Sequence, residues 1–240
     1  MLLTAESGNF EPILDLTLKP GALLPNKGLA SDEARKEMDA KNNRLQIGIP
    51  QVIDLQKLAA APGEKAFDFT AFNADFRLVR LACGFLPDKG CRYVWARLSI
   101  DLVGLGDNQN EQVIAFDMFP LNVERQTTVK RGYEIAPTLK LSFGEAALKA
   151  SRSDETIVYE PQLSGAGLLT SQPSWTFKSN DRDGLLGSRE LFLVVKLPKG
   201  KRCGARFGIA AESQGRFGPI PLRRVGEVGA PRDLIELKPE

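Results

Sequence analysis

Between Tyr93 and Val103 the chain places Ala96, Leu98, Ile100 and Leu102 at every second position, with Arg97, Ser99 and Asp101 between them. A period of two belongs to a strand with one buried and one wet face. The same texture recurs from Lys65 onward. Phe67–Ala71 alternates. Phe76–Ala82 is strand-like, with a change of phase that points to a bulge. Gln112–Phe119 is mostly apolar. Leu139, Leu141 and Phe143 alternate with Lys140 and Ser142. Thr156–Tyr159 is a short β-prone run, and Phe207, Ile209 and Ala211 alternate again. Leu191–Leu197 is nearly continuous and apolar, which predicts a central strand buried on both faces. Ile220–Leu222 and Leu234–Leu237 are short late strands, the first carrying its own prolines as an edge would.

Gly, Pro, Asn and Asp separate these segments at regular intervals. Such spacing predicts a mainly β chain folded as an antiparallel β-sandwich, jelly-roll or immunoglobulin-like. No βα units alternate, so a doubly wound or barrel α/β fold is excluded.

The first 64 residues read differently. Glu11–Lys19 is a short strand closed by Pro20 and Gly21. Ser31 is a fitting N-cap for a helix over Ser31–Lys41, with Asp32 and Glu33 at its positive end, but the apolar stripe is thin. Val52, Leu55, Leu58 and Ala59 recur at helical spacing and stop at Pro62 and Gly63. The expected organisation is an arm over 1–64, with a strand and one or two short helices, packed on the main domain or a partner. A sandwich over 65–240 follows.

The 240 residues carry 32 basic and 30 acidic side chains, a net charge of +2. Nothing global draws such a chain to nucleic acid or an anionic membrane. No run approaches the ~18–20 apolar residues of a spanning helix, and the first residues lack a signal-peptide pattern. Three cysteines, Cys83, Cys91 and Cys203, suit a reducing compartment. A cytoplasmic protein without a membrane span is expected. Cys83 and Cys91 bracket a hairpin-like loop and could pair if oxidised.

There is no histidine. Ser-His-Asp and Cys-His catalysis, imidazole–zinc sites and the commonest neutral-pH base are therefore excluded. No cofactor and no metal are expected, and the expectation of an enzyme falls.

Four local patterns remain. Ser179–Glu190 follows the spacing of a twelve-residue calcium loop, with Asp181, Asp183 and Glu190 as ligands, yet its flanks read as strands rather than helices. The second is basic. Lys199, Lys201, Arg202, Arg223 and Arg224, with Lys196, Arg206 and Arg216 among them, would attract phosphates or an acidic surface if folding gathered them. The third is a pair of tryptophans, Trp95 and Trp175, able to stack on sugars but also natural core residues. The fourth is a set of carboxylates, Asp68, Asp75, Asp101 and Asp117, from which a histidine-free glycosidase would need a pair.

The leading reading is a non-catalytic module that binds another protein or itself, as a subunit of an assembly. The alternatives are a carbohydrate-binding or carbohydrate-processing domain, and phosphate or nucleic-acid binding through the 196–224 basic tract. Nucleic acid is the least expected partner.

Overall fold

The computed structural model describes residues 12–17, 23–24, 36, 40–57, 69–106, 112–123, 134–135, 138–141, 144–147, 150–151, 162–179, 184–217, 220–228 and 234–239. In chain order the strands are β1 (Pro12–Thr17), β2 (Leu23–Leu24), β3 (Arg44–Gly48), β4 (Gln51–Asp54), β5 (Ala74–Leu86) and β6 (Arg92–Leu105). Then come β7 (Ile114–Phe119), β8 (Asn122–Val123), β9 (Glu134–Ile135), β10 (Thr138–Leu141), β11 (Gly144–Ala147) and β12 (Ala150–Ser151). The last are β13 (Gln162–Ala166), β14 (Ser174–Lys178), β15 (Gly187–Pro198), β16 (Arg202–Phe217), β17 (Ile220–Val228) and β18 (Ile235–Glu236).

Two antiparallel sheets pack face to face, as the alternation predicts. The first has the order β1-β3-β5-β15-β7, with β4 also on β5. The second has the order β2-β17-β16-β6-β14-β13-β8, with β18 also on β16. Among the described residues, β9 pairs with β12 and β10 with β11.

Two of the chain's passages between the sheets, β5 to β6 and β15 to β16, are alike. β5 and β6 are consecutive, yet β5 pairs with β15 and β6 with β16. The crossings therefore lie at opposite ends of the sandwich, one after Leu86 and one at Pro198–Arg202. The segment between Cys83 and Cys91 thus links two sheets and is not a hairpin. Cys83 lies in the core of the first sheet, Cys91 sits at the crossing, and neither is in a disulfide.

The main core lies between the sheets. Trp175, Tyr93, Phe85, Phe177 and Phe207 are its largest fully buried side chains. The Phe85 and Phe177 rings meet edge to face at 5.2 Å. A second cluster covers the outer face of the first sheet, formed by Phe76, Leu78, Phe192 and Val194 with Phe69, Phe116 and Phe119 packed against it.

These two clusters explain β5 and β15. Leu191, Leu193, Val195 and Leu197 enter the main core, while Phe192 and Val194 enter the outer cluster. β15 is a central strand buried on both faces, as its apolar run predicts. In β5 the expected bulge is absent, because pairing with β15 is unbroken from Ala74 to Phe85. Phe76 and Leu78 face the outer cluster, whereas Val79 and Leu81 face the inner core. The change of phase in the sequence marks a change of buried face.

Strands β1, β3 and β4 join the first sheet. The helix expected around Val52 is instead strand β4 followed by a 3-10 turn at Leu55–Lys57. Val52 enters the inner core and Ile53 packs on the outer cluster, so two buried faces imitate helical spacing. Leu58 and Ala59 lie outside the described residues. The expected strand at Phe67–Ala71 is a 3-10 turn over Phe69–Phe72, which brings the Phe69 ring within 5.1 Å of Phe76. Of the helix expected over Ser31–Lys41, Lys36 is helical and its carbonyl accepts from the Ala40 N–H at 3.0 Å. Residues 31–35 and 37–39 of that segment, and Thr156–Tyr159, lie outside the described residues.

Candidate interaction surface

The loop from Ala166 to Pro173 leaves β13 and enters β14 with the sequence Gly167-Leu168-Leu169-Thr170-Ser171-Gln172 between. Gly167 has φ +84°, and a Cβ there would come within 2.4 Å of the Gln172 carbonyl oxygen. No other residue fits that turn without moving backbone. The Thr170 hydroxyl donates to the Gly167 carbonyl at 2.7 Å and accepts from the Gln172 N–H at 3.1 Å.

Backbone bonds then fasten the loop to both sheets. The Leu169 N–H donates to the Ala115 carbonyl at 2.7 Å, and the Ala115 N–H donates to the Thr170 carbonyl at 2.8 Å. The Leu102 and Ile100 N–H groups donate to the carbonyls of Ser171 and Pro173 at 2.8 and 2.9 Å. The loop stitches the β7 edge of the first sheet to β6 of the second.

This fastening holds Leu169 at φ +60°. The left-handed region costs a Cβ-bearing residue about 1–2 kcal/mol. Leu169 nevertheless stays 60% exposed, and its neighbour Leu168 is 39% exposed. Leu121, whose carbonyl accepts from the Gly165 N–H, is 38% exposed. Strained backbone and three exposed leucines thus flank one hydrogen-bonded stem.

The basic residues are divided. Lys199, Lys201 and Arg202 are exposed at the second crossing between the sheets. Arg202 lies 3.7 Å from Glu236. The backbone of Arg223 and Arg224 in β17 is opposite Gln214 and Ser213 of β16. From Arg202 to Ser213 along β16 is about 36 Å at the usual rise per residue. The register brings the first three together and sets the other two near the far end of the same strand.

Trp175 is fully buried, its Nε1 donating to the Pro120 carbonyl at 2.9 Å. Trp95 is half-buried on the outer face of the second sheet, opposite Glu212 on one side and Lys178 on the other. Asp181 and Asp183 lie outside the described residues. Glu190, the last position of the calcium pattern, pairs with the Arg80 guanidinium. Among the described residues no three metal-binding side chains cluster.

The carboxylates are dispersed. Asp75 accepts from the Gly200 N–H, Asp101 pairs with Arg206 at 3.2 Å, and Asp117 accepts from the Met118 N–H at 2.8 Å. Asp68 lies outside the described residues. Burial pushes the Cys83 thiol up to about 12, against a smaller lowering by Arg189. Burial also raises Cys203, with Arg77 opposing. Neither is a thiolate nucleophile at neutral pH.

Neither a family model nor a curated protein matches the sequence. Among solved structures, one titled "Pore forming protein" is similar over 87% of this chain and 91% of its own, at 10% identity and a TM-score of 0.35. At that score the likeness bears on neither fold nor function.

The leucine surface escaped the sequence reading. Its signal is an adjacent leucine pair inside a segment otherwise made of Gly, Ala, Ser, Thr, Gln and Pro. Turn-forming residues explain the loop, and nothing local calls for two large aliphatics there. The left-handed Leu169 is set by the bonds that it and Thr170 make to Ala115, which lies far away in sequence.

Proposed function

We propose that this chain is a non-catalytic β-sandwich module that binds another protein as a subunit of a cytoplasmic assembly. The observation that carries the reading is the Leu168–Leu169 pair. A loop bonded to both sheets holds an exposed leucine in a disfavoured conformation. A strain of that kind persists where the surroundings enforce it and where the geometry is used. The odd, sparse count of three cysteines supports a reducing compartment. Among the described residues no helix is long and apolar enough to cross a membrane.

The test is native mass spectrometry on untagged protein purified from its own cells, repeated with Leu168→Ser. Both forms should fold alike, since the side chain is partly exposed. The wild type should carry a second polypeptide and the variant should lose it. A complex unchanged by Leu168→Ser, or a wild-type chain that carries nothing, would remove the reading.

A second reading keeps carbohydrate binding, favoured by the half-buried Trp95 between Glu212 and Lys178. Trp95 fluorescence unmoved by a broad glycan panel would dismiss it.

A further inference from the structure

Register decides what stands on the outer face of the second sheet. In β6, Ala96, Leu98 and Ile100 enter the main core, so Trp95, Arg97, Ser99 and Asp101 turn outward. Trp175 and Phe177 of β14 point inward, as do Phe207, Ile209 and Ala211 of β16. Their alternate neighbours share the outer face with Trp95. The first rung across it is Lys178, Trp95 and Glu212. The next is Thr176, Arg97 and Ala210, followed by Ser174, Ser99 and Gly208.

An indole on this face needs a reason. The wet side of a sheet is satisfied by polar and small residues, and its other positions here hold them. Trp95 is partly exposed, and neither buried apolar cluster includes it. Its packing therefore does not account for it.

Cations border the indole. Lys178 is exposed and stands directly opposite Trp95 on β14. Arg97 is also exposed and follows about 7 Å along β6 at the usual rise. Its guanidinium donates to the Ser174 Oγ at 3.1 Å. A hydroxyl orients a guanidinium without neutralising it, and most of its N–H donors stay available. The carboxylate of Asp101, two residues further on, is engaged by Arg206 at 3.2 Å. On the β16 side Arg97 is flanked only by Ala210 and then Gly208, so no long side chain rises there.

An aromatic face beside an oriented guanidinium suits a flat ring that carries a carboxylate. The C–H face of a sugar packs on an indole, and Glu212, across from Lys178, is placed to accept from sugar hydroxyls. We propose that this patch binds an acidic saccharide, with the sugar ring on Trp95 and its carboxylate on Arg97. The proposal rests on the carbohydrate reading above and names the ligand class of that site.

The test is titration calorimetry of the full chain with oligogalacturonate, a hyaluronan oligosaccharide and sialyllactose. Each is paired with its carboxyl methyl ester, which keeps the sugar and removes the charge. At least one acid should bind, and its ester should bind at least about tenfold more weakly. Added salt should weaken the acid and leave the ester unchanged. Arg97→Gln should bring acid and ester to within about twofold of each other. Ester binding retained in that variant shows that it is folded. Trp95→Ala should lose both ligands. Trp175 is fully buried, so Trp95→Phe should silence the fluorescence response to the acid.

Equal binding of acid and ester by the wild type would overturn the acidic ligand and leave the carbohydrate reading standing. No binding of any acid or ester would end both. Acid binding untouched by Arg97→Gln and Trp95→Ala would overturn the site. If that binding fell instead in a Lys199→Gln, Lys201→Gln double variant, the ligand would belong to the basic turn at the second crossing.

Discussion

Tyr93 and Ser213 stand opposite each other across β6 and β16, both completely buried, and neither hydroxyl has a hydrogen-bond partner among the described residues. Burial without a partner costs a hydroxyl about 1–3 kcal/mol. Removing it should therefore help. Tyr93→Phe keeps the ring that packs 6.1 Å from Phe85 and deletes only the unpaired group. We expect it to be stabilising by about 1 kcal/mol, a rise in Tm of roughly 2–4 °C for a chain of this length. A fall in Tm on calorimetry would show that the hydroxyl is satisfied in solution.

Leu169→Asn separates stability from binding. Asparagine tolerates the left-handed region far better than leucine. The variant should be at least as stable as wild type, by up to about 1 kcal/mol in urea. It should also lose the partner that the exposed leucine holds. If it is stable and still binds, Leu169 is not part of the contact. If it is destabilised by more than about 1 kcal/mol, the leucine packs in solution rather than facing water.

The sandwich was legible because β6 and β15 carry it in their own residues. The alternation of Ala96, Leu98, Ile100 and Leu102 states a wet face, and the unbroken run at Leu191–Leu197 states a central strand. Two things were hidden. One was the outer aromatic cluster, against which Ile53 packs while Val52 is buried on the opposite face, which gives a strand the spacing of a helix. The other was the pair of matched crossings, β5 to β6 and β15 to β16. Pro87, Asp88 and Gly90 show that the chain reverses, but the same residues serve a hairpin and a bridge between sheets. The basic residues looked like one tract for the same reason. Sequence distance from Arg202 to Arg223 says nothing of the length of β16 laid between them. The exposed leucines depended on Ala115 for their conformation, and no local pattern reports a partner so distant.

The cysteines should report burial through pH. The ordinary thiol titrates near 9.0, and Cys83 is pushed up to about 12 in the folded chain. The folded state thus holds a proton that the unfolded chain has given up. Its contribution to stability is complete below about pH 9 and declines as pH rises from 9 toward 12. Relative to wild type, Cys83→Ala should show a shallower loss of stability over that window. At pH 8, Cys91, which is partly exposed, should react with an aromatic disulfide reagent first, while Cys83 and Cys203 wait for unfolding. Three equally fast thiols in the native protein would contradict this burial.

Asp75 is the residue on which the second crossing hangs. It begins the inward face of β5, and its carboxylate accepts from the Gly200 N–H at 2.7 Å, inside the turn that carries the chain from β15 to β16. Arg77, two residues on, donates to the carbonyls of Leu237 and Lys201. Those two side chains tie β5 of the first sheet to the turn and the late C-terminal strand of the second. A hydrogen bond to a charged acceptor contributes about 1.5–3 kcal/mol when shielded, and less at a site as open to water as this one. We expect Asp75→Ala to cost about 1 kcal/mol in urea unfolding. Asp75→Asn should cost less, because its carbonyl oxygen can still accept. Amide hydrogen exchange at Gly200 should quicken in Asp75→Ala while the amides of β6 and β16 keep their protection. Uniform quickening across both sheets would mean that the turn governs the whole sandwich. No quickening at Gly200 would mean that the Pro198–Lys201 turn, closed by its own 3.1 Å backbone bond, holds without the carboxylate.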